Sequence, residues 1–334
     1  MPLIEVKDLK VHFHTEGGIV RAVDGVDFVV EPQKTLGLVG ESGCGKSVTA
    51  LSIMGLIPSP PGRIEGGEIL YYRNDKVIDL AKLDPERSTM RSIRGNEIAM
   101  IFQEPMTSLN PAYTIGNQIM ESIRLHQKVS RKNAKSKAIE VLQAVGVPSP
   151  ERRFENYPHQ LSGGMRQRAM IAMALCCNPS LLIADEPTTA LDVTIQAQVL
   201  RLMNELRNEF KAAILFITHE LGVIAQMADD VVVMYLGKIV ESALVRELFK
   251  NPKHPYTLGL MNSIPSLTTK KTERLVPIEG VVPDAIYDQM GCGFESRCPD
   301  AMSICKTQIP RLTKVGPGHS VACWLNEEEA RHVS

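Results

Sequence analysis

Gly40-Glu41-Ser42-Gly43-Cys44-Gly45-Lys46-Ser47 follows a short apolar run, Gly37-Leu38-Val39, and opens a stretch patterned as a helix from Lys46. The eight residues fit G-x-x-x-x-G-K-[ST], the phosphate-loop pattern, in the strand–loop–helix setting that it requires. Glycines there let successive backbone N–H groups face phosphate oxygens, and the helix N-terminus adds positive potential. A chance glycine-rich turn would not supply all eight positions in that setting. Gly40 to Ser47, with Val48 behind them, are therefore the expected nucleotide-binding set. Lys46 is expected to reach the β- and γ-phosphates, and the Ser47 hydroxyl to ligate Mg²⁺. Cys44 sits beside a helix N-terminus, where the field is expected to favour its thiolate.

The chain around this loop reads as α/β. The first 30 residues alternate like antiparallel strands (Ile4, Val6, Leu9, Val11, Phe13, then Val20, Val23, Val26, Phe28). Apolar β-rich runs follow at 98–102, 181–184, 214–218 and 231–235, separated by helical patterns. In one of these, Ile195, Val199, Met203, Leu206 and Phe210 recur at steps of three and four. Strands alternating with helices predict a mainly parallel sheet flanked by helices. From about 107 to 160 the β signal gives way to helical stretches, predicting an inserted helical subdomain.

The 334 residues are enough for one large domain and a smaller one. The net charge of -1 gives no electrostatic reason to expect a nucleic-acid partner. Met1-Pro2-Leu3-Ile4-Glu5-Val6-Lys7 lacks the basic head and apolar stretch of a signal peptide. The longest apolar run, 169–177, falls far short of the roughly 20 residues that span a bilayer. A soluble chain is expected, with any membrane role arising through a partner.

The run Leu181-Leu182-Ile183-Ala184 ends in Asp185 and Glu186. Asp185 is placed to hold Mg²⁺ through water and Glu186 to polarise an attacking water. Alone, a strand ending in two carboxylates would more often be a solvated edge; downstream of a phosphate loop it reads as catalytic. Leu161-Ser162-Gly163-Gly164-Met165, followed by Arg166-Gln167-Arg168, has no role in an ordinary phosphate-binding enzyme.

That pentapeptide resembles the signature motif of ABC-type ATPases, and other family elements fall in order. Gln103 matches the Q-loop, Thr189-Ala190-Leu191-Asp192 the D-loop, and His219 the switch histidine. Met165 departs from the Gln usual in the family. The resemblance covers roughly residues 3–255. It implies two nucleotide domains closing head to tail, with Ser162 and Gly164 of one capping the γ-phosphate held by the other's phosphate loop. It further implies catalytic roles for Lys46, Gln103, Glu186 and His219, with Gln103 also sensing Mg²⁺. Phe13 is the candidate for stacking on adenine, with His14 and Arg21 behind it, although Phe13 could equally face the core.

Beyond His254-Pro255-Tyr256 the texture is loop-rich, with repeated prolines and few aliphatic residues, and such a segment needs a staple. Cys292-x5-Cys298-x6-Cys305-x17-Cys323 supply four thiols. Their spacing leaves a Cys₄ zinc site and a [4Fe–4S] cluster both open. This tail, including Asn251-Pro252-x-His254-Pro255-Tyr256-Thr257, Arg297-Cys298-Pro299 and Gly316-Pro317-Gly318-His319-x-x-x-Cys323, resembles the C-terminal extension of ATP-binding subunits of dipeptide/oligopeptide importers. The resemblance implies a [4Fe–4S] cluster on Cys292, Cys298, Cys305 and Cys323, structural rather than redox-sensing, and leaves His319 as a surface or capping residue.

The expected division is 1–258 for the nucleotide-binding domain, with the helical subdomain at about 104–180, and 259–334 for the extension. ATP binding is expected to be independent of the extension, as the phosphate loop lies in a separately cored domain. The expected function is the ATP-hydrolysing subunit of a peptide importer at the cytoplasmic face of the cell membrane. Its implied partners are a second homologous ATP-binding subunit in a heterodimer, two transmembrane permeases and, indirectly, an extracytoplasmic peptide-binding protein. A nickel or other small-solute importer is the neighbouring alternative. A soluble ATPase acting on ribosomes or DNA is the different-class alternative; it usually carries two cassettes in one chain or long coiled-coil insertions, neither of which is visible.

Overall fold

Buried β-branched and aliphatic runs set the strands, and amphipathic stretches with polar caps set the helices. The computed structural model describes residues 1–73, 76–103, 108–189, 191–263, 278–283 and 289–327. Among them the strands are β1 (Ile4–Thr15), β2 (Gly18–Val30), β3 (Thr35–Val39), β4 (Gly62–Arg73), β5 (Lys76–Asp79), β6 (Ile98–Ile101), β7 (Leu181–Asp185), β8 (Ala213–Thr218), β9 (Asp230–Tyr235), β10 (Lys238–Leu244), β11 (Thr313–Gly316) and β12 (His319–Val321). The helices are α1 (Lys46–Ile53), α2 (Ser88–Ile93), α3 (Ile115–Gln127), α4 (Arg131–Ala144), α5 (Pro150–Phe154), α6 (Gly163–Leu175), α7 (Val193–Phe210), α8 (Leu221–Met227), α9 (Val245–Lys250) and α10 (Pro255–Asn262). No helix among the described residues is long and apolar enough to cross a membrane.

Contacts divide the chain into two units. One comprises Met1–Leu3, Val30–Lys34 and Lys82–Ile217; the other comprises Ile4–Val29, Thr35–Ala81 and Thr218–Ser334. In the first, β6, β7 and β8 run parallel, in the register Ile98↔Leu181 and Leu181↔Ala213. All five residues of β7 are buried, as expected of a strand covered on both faces. The expected helical region is present as α3 to α6. Ile115, Ile119 and Ile123 of α3 and Ala134, Ala138 and Leu142 of α4 are buried on their facing stripes. Gly116 lets the Phe154 ring lie against α3: a Cβ there would come within 2.3 Å of that ring. Thr114, Ser130, Ser162 and Asp192 cap α3, α4, α6 and α7, each accepting one of the first-turn backbone N–H groups that would otherwise be bare, worth about 1 kcal/mol apiece.

In the second unit, β1, β4 and β5 with β2 make an antiparallel sheet in the order β2-β1-β4-β5, matching the alternation of the first 30 residues. A second sheet runs β11-β12-β10-β9-β3, with β3 parallel to β9 and the rest antiparallel. The C-terminal segment is therefore more than loops: its hairpin β11–β12 extends β10.

The packing of that segment also corrects the expectation for His319, which is 4% exposed rather than a surface residue. Its Nε2 lies 2.7 Å from Oε1 of Glu241, a carboxylate with no exposed surface. Glu241 also accepts the backbone N–H groups of Lys253 and His254, at 2.7 and 3.0 Å. A buried carboxylate with three such partners is satisfied, and it pins β12 and the entry to α10 onto β10. Phe294 completes this core, its ring packed on Tyr235 at 5.3 Å, Tyr256 at 5.4 Å and His254 at 5.8 Å between centroids. Glu241→Ala strands two buried N–H groups and is expected to destabilise this packing by about 3 kcal/mol. Limited proteolysis of the variant should cut the C-terminal segment first; wild-type resistance would contradict the pinning role.

Candidate nucleotide site and cysteine cavity

The phosphate loop leaves β3, whose five residues are all buried, and turns directly into α1. Two glycines are demanded by close approach. A Cβ on Gly40 would lie 2.3 Å from the Met234 carbonyl oxygen; Gly45, at φ 101°, would place one 2.2 Å from the Ala22 oxygen. Lys46 is 4% exposed, and its Nζ donates to the carbonyls of Gly40 at 2.7 Å and Glu41 at 2.9 Å, bridging the loop. Ser42 and Gly43 are exposed, and Ser47 and Val48 are half-buried in the first turn of α1. Cys44 departs from expectation. It is 1% exposed, and burial pushes its thiol up despite the Lys46 ammonium 3.7 Å away. Desolvation outweighs the helix N-terminus here, so the thiol is the held form. Phe13 is half-buried on β1 opposite Gly62, leaving part of its ring uncovered, and His14 pairs with Glu65 at 2.8 Å.

In the other unit, Asp185 ends β7 at 5% exposure and Glu186 follows with φ +46°, a left-handed conformation rare outside glycine. The turn is held by the Glu186 N–H donating to the Ile217 carbonyl at 2.9 Å. It aims the carboxylate at two donors: Oε2 accepts from Gln103 Nε2 at 3.0 Å and from Thr189 Oγ1 at 2.9 Å. Two expected catalytic residues, Gln103 and Glu186, are thus in contact. Thr189 as a carboxylate partner was not anticipated; its three-residue spacing from Glu186 was the available signal. Asp192 serves as the N-cap of α7, accepting from the Ile195 N–H at 3.0 Å, and Ala190 lies outside the described residues.

Ser162 caps α6, accepting from the Met165 N–H at 3.4 Å, and stands exposed with Gly163. Nothing lies within 4 Å of a Cβ built on Gly163, so the chain's own packing leaves that position open. Leu161 beside them is buried and anchors the motif. His219 is exposed directly after Thr218, whose Oγ1 accepts from the Glu220 N–H at 3.0 Å.

Cys292, Cys298, Cys305 and Cys323 line one cavity together with His254, Phe294 and Trp324. Cys292 N donates to the Cys305 carbonyl at 2.7 Å. Burial raises the Cys292 thiol, and pushes Cys298 up to about 11 and Cys323 up to about 12. The donor set suits a thiolate-bound centre, because a cationic group would offset the cost of ionising them. Among the described residues, no group of three or more His, Cys, Asp or Glu side chains is arranged to hold a single metal ion. His254 accepts the Tyr256 N–H on Nδ1 at 3.0 Å as the cap of α10, and burial lowers its pKa to about 4.

The phosphate loop and the C-terminal segment fall within the same unit. Arg297 Nη1 and Nη2 grip the Glu41 carboxylate at 2.6 and 3.1 Å, and the Glu41 N–H donates to Tyr256 Oη at 2.8 Å. Spacing could not reveal this pair, whose members stand 256 positions apart.

Residues 23–189 match the family model of ABC transporters, and residues 240–305 match that of the oligopeptide/dipeptide transporter C-terminal region. The oligopeptide transport ATP-binding protein OppD of Bacillus subtilis is 50% identical over 331 residues, 99% of this chain and 91% of that protein. The dipeptide transport ATP-binding protein DppD of the same organism is 48% identical, across 99% of this chain and 97% of its own length. Among solved structures, a dimeric bacterial ABC transporter cassette superposes with a TM-score of 0.63 at 25% identity, covering 73% of this chain and 99% of that one. With the phosphate loop, the signature helix and the cysteine-bearing C-terminal region in one chain, the protein belongs to the ABC transporter ATP-binding family, in its oligopeptide/dipeptide branch.

Proposed function

We propose that the protein is the ATP-hydrolysing subunit of a peptide importer, converting ATP and water to ADP and phosphate. The observation that carries the catalytic reading is Glu186, a carboxylate held in a left-handed turn and oriented by Gln103 and Thr189. Relatives named for oligopeptide and dipeptide transport support peptide over nickel as cargo.

In the phosphate-loop unit, Gly40 to Val48 cradle the triphosphate, Lys46 offers its ammonium to the β- and γ-phosphates, and the half-buried Phe13 offers its ring to adenine. Ser47, Asp185 and Gln103 are the residues that would hold Mg²⁺, which would neutralise charge on the phosphates. Glu186 orients the attacking water and accepts its proton, Gln103 holds that carboxylate in place, and His219 contacts the γ-phosphate. Ser162 and Gly164 act on the nucleotide of a partner subunit; the open space at Gly163 and the exposed N-terminus of α6 support this, since bare N–H groups suit a phosphate supplied from outside.

The partner is a second, homologous ATP-binding subunit, and the pair works at the cytoplasmic face of the membrane beneath two permeases served by an extracytoplasmic peptide-binding protein. The cassette extends to about residue 258, with its helical subdomain at about 104–180, and the extension from 259. Cys292, Cys298, Cys305 and Cys323 would hold a [4Fe–4S] cluster, which would tie their segments of the extension together.

Glu186→Gln should keep ATP affinity while lowering turnover at least about 10²-fold in the assembled transporter, trapping ATP in a closed dimer. Wild-type turnover would remove Glu186 from catalysis. Ser162→Arg should leave nucleotide binding by the isolated subunit unchanged and abolish transport; a loss of ATP affinity in the isolated variant would overturn the assignment in trans.

Protein prepared without oxygen should carry about four irons and four acid-labile sulfides, with broad absorption near ~400 nm that any one Cys→Ser change bleaches. One zinc and no iron per chain would replace the cluster by a zinc site.

A further inference from the structure

Arg297 is the most fully engaged side chain joining the C-terminal segment to the phosphate loop. A guanidinium has five N–H donors, and here five acceptors meet them. Nε donates to the Glu279 carbonyl at 2.9 Å; Nη1 donates to Glu41 Oε2 at 2.6 Å and Tyr235 Oη at 3.3 Å; Nη2 donates to Glu41 Oε1 at 3.1 Å and the Ile278 carbonyl at 3.4 Å. The side chain is 4% exposed, against 29% for Glu41. Two-point geometry of this kind fixes direction as well as distance, which a lysine could not do.

The residue so gripped lies inside the phosphate loop. Glu41 is held at three points: its N–H by Tyr256 Oη, its carbonyl by Lys46 Nζ, and its carboxylate by Arg297. Lys46 belongs to the loop and Tyr256 to α10 at the end of the cassette, but Arg297 comes from the C-terminal extension. Arg297 also abuts Cys298 in sequence, and Phe294, three residues earlier, packs on Tyr256. The loop conformation that presents N–H groups to phosphates is therefore anchored by residues beside the cysteine cavity.

We infer that Arg297 is a positioning residue for the ATPase reaction: through Glu41 it sets the phosphate loop, so that nucleotide affinity depends on the folded C-terminal extension. The inference rests on the phosphate-loop reading and adds a source of control that the cassette motifs do not contain. Removing Arg297 does two things. It frees the loop at Glu41, and it leaves a largely covered carboxylate without its counter-charge in a loop that must receive a polyanion. Breaking a buried pair from one side costs more than removing both charges, so neutralising Glu41 as well should relieve the charge cost and leave the loop free. Linkage also requires that nucleotide, in turn, steadies the extension.

The test uses the full-length protein with ATP itself as the titrant. Arg297→Met should weaken ATP binding about tenfold, and Arg297→Lys, which keeps the charge without the fork, should fall between that variant and wild type. Adding Glu41→Gln to Arg297→Met should recover only part of that loss, because the uncharged pair still leaves the loop unclamped. In the assembled transporter, KM for ATP should rise with kcat nearly unchanged. Saturating ATP should slow proteolysis of the extension in wild type and not in Arg297→Met. Wild-type affinity in Arg297→Met, or full recovery of wild-type affinity in the double variant, would overturn the inference. If Arg297→Met fails to fold, Arg297→Lys alone and with Glu41→Gln carries the same comparison. Wild-type protein that binds no ATP would instead sink the phosphate-loop reading on which the inference stands.

Discussion

A loop that presents bare backbone N–H groups to a ligand cannot also use them to hold its own shape. The phosphate loop meets that constraint by borrowing contacts from its surroundings. Gly40 and Gly45 bring the backbone against the carbonyls of Met234 and Ala22, Lys46 bridges the loop from within, and Glu41 is clamped by Tyr256 and Arg297. The buried strand β3 and helix α1 fix its two ends. Everything the protein does with phosphate depends on this backbone being held open before ligand arrives, because preorganised dipoles act without further reorganisation.

The same logic governs the carboxylate in the other unit. Glu186 takes a conformation that costs of order 1 kcal/mol or more, and such strain persists where surrounding contacts over-determine it. Its N–H is tied to Ile217 and its carboxylate to Gln103 and Thr189. A carboxylate whose direction is set by two donors can sit ready for a water without being free to swing. The price is local strain at the end of β7, carried by a trio of parallel strands whose residues are all buried.

The C-terminal segment shows how a stretch poor in aliphatic residues still folds. Glu241 and His319 form a buried polar pair, the Tyr235–Tyr256–Phe294 cluster supplies aromatic area, and β11–β12 adds hydrogen-bonded strands to β10. Aromatic rings carry a large buried surface per residue, which compensates for their small number. The cysteine cavity sits against this cluster rather than substituting for it, so a metal centre there would tighten a segment already packed onto the β9–β10 hairpin.

The phosphate loop, the aliphatic strand ending in Asp185 and Glu186, the signature pentapeptide and the four spaced cysteines were legible in the sequence because each is a local pattern: their chemistry depends on neighbours within a few positions. The helical region after about residue 107 was legible for the same reason, the apolar stripe of α3 being close in the chain. Three things were decided only in three dimensions. Burial raises the Cys44 thiol where the helix N-terminus was expected to favour its thiolate, His319 became a buried partner of Glu241, and Arg297 closed on Glu41 across most of the chain. Burial and long-range pairing are properties of what packs around a residue, and no spacing rule carries them. The sequence by itself determined which chemistry the chain can perform; the tertiary structure decided which groups are held, shielded and joined, because desolvation and ion pairing act through space.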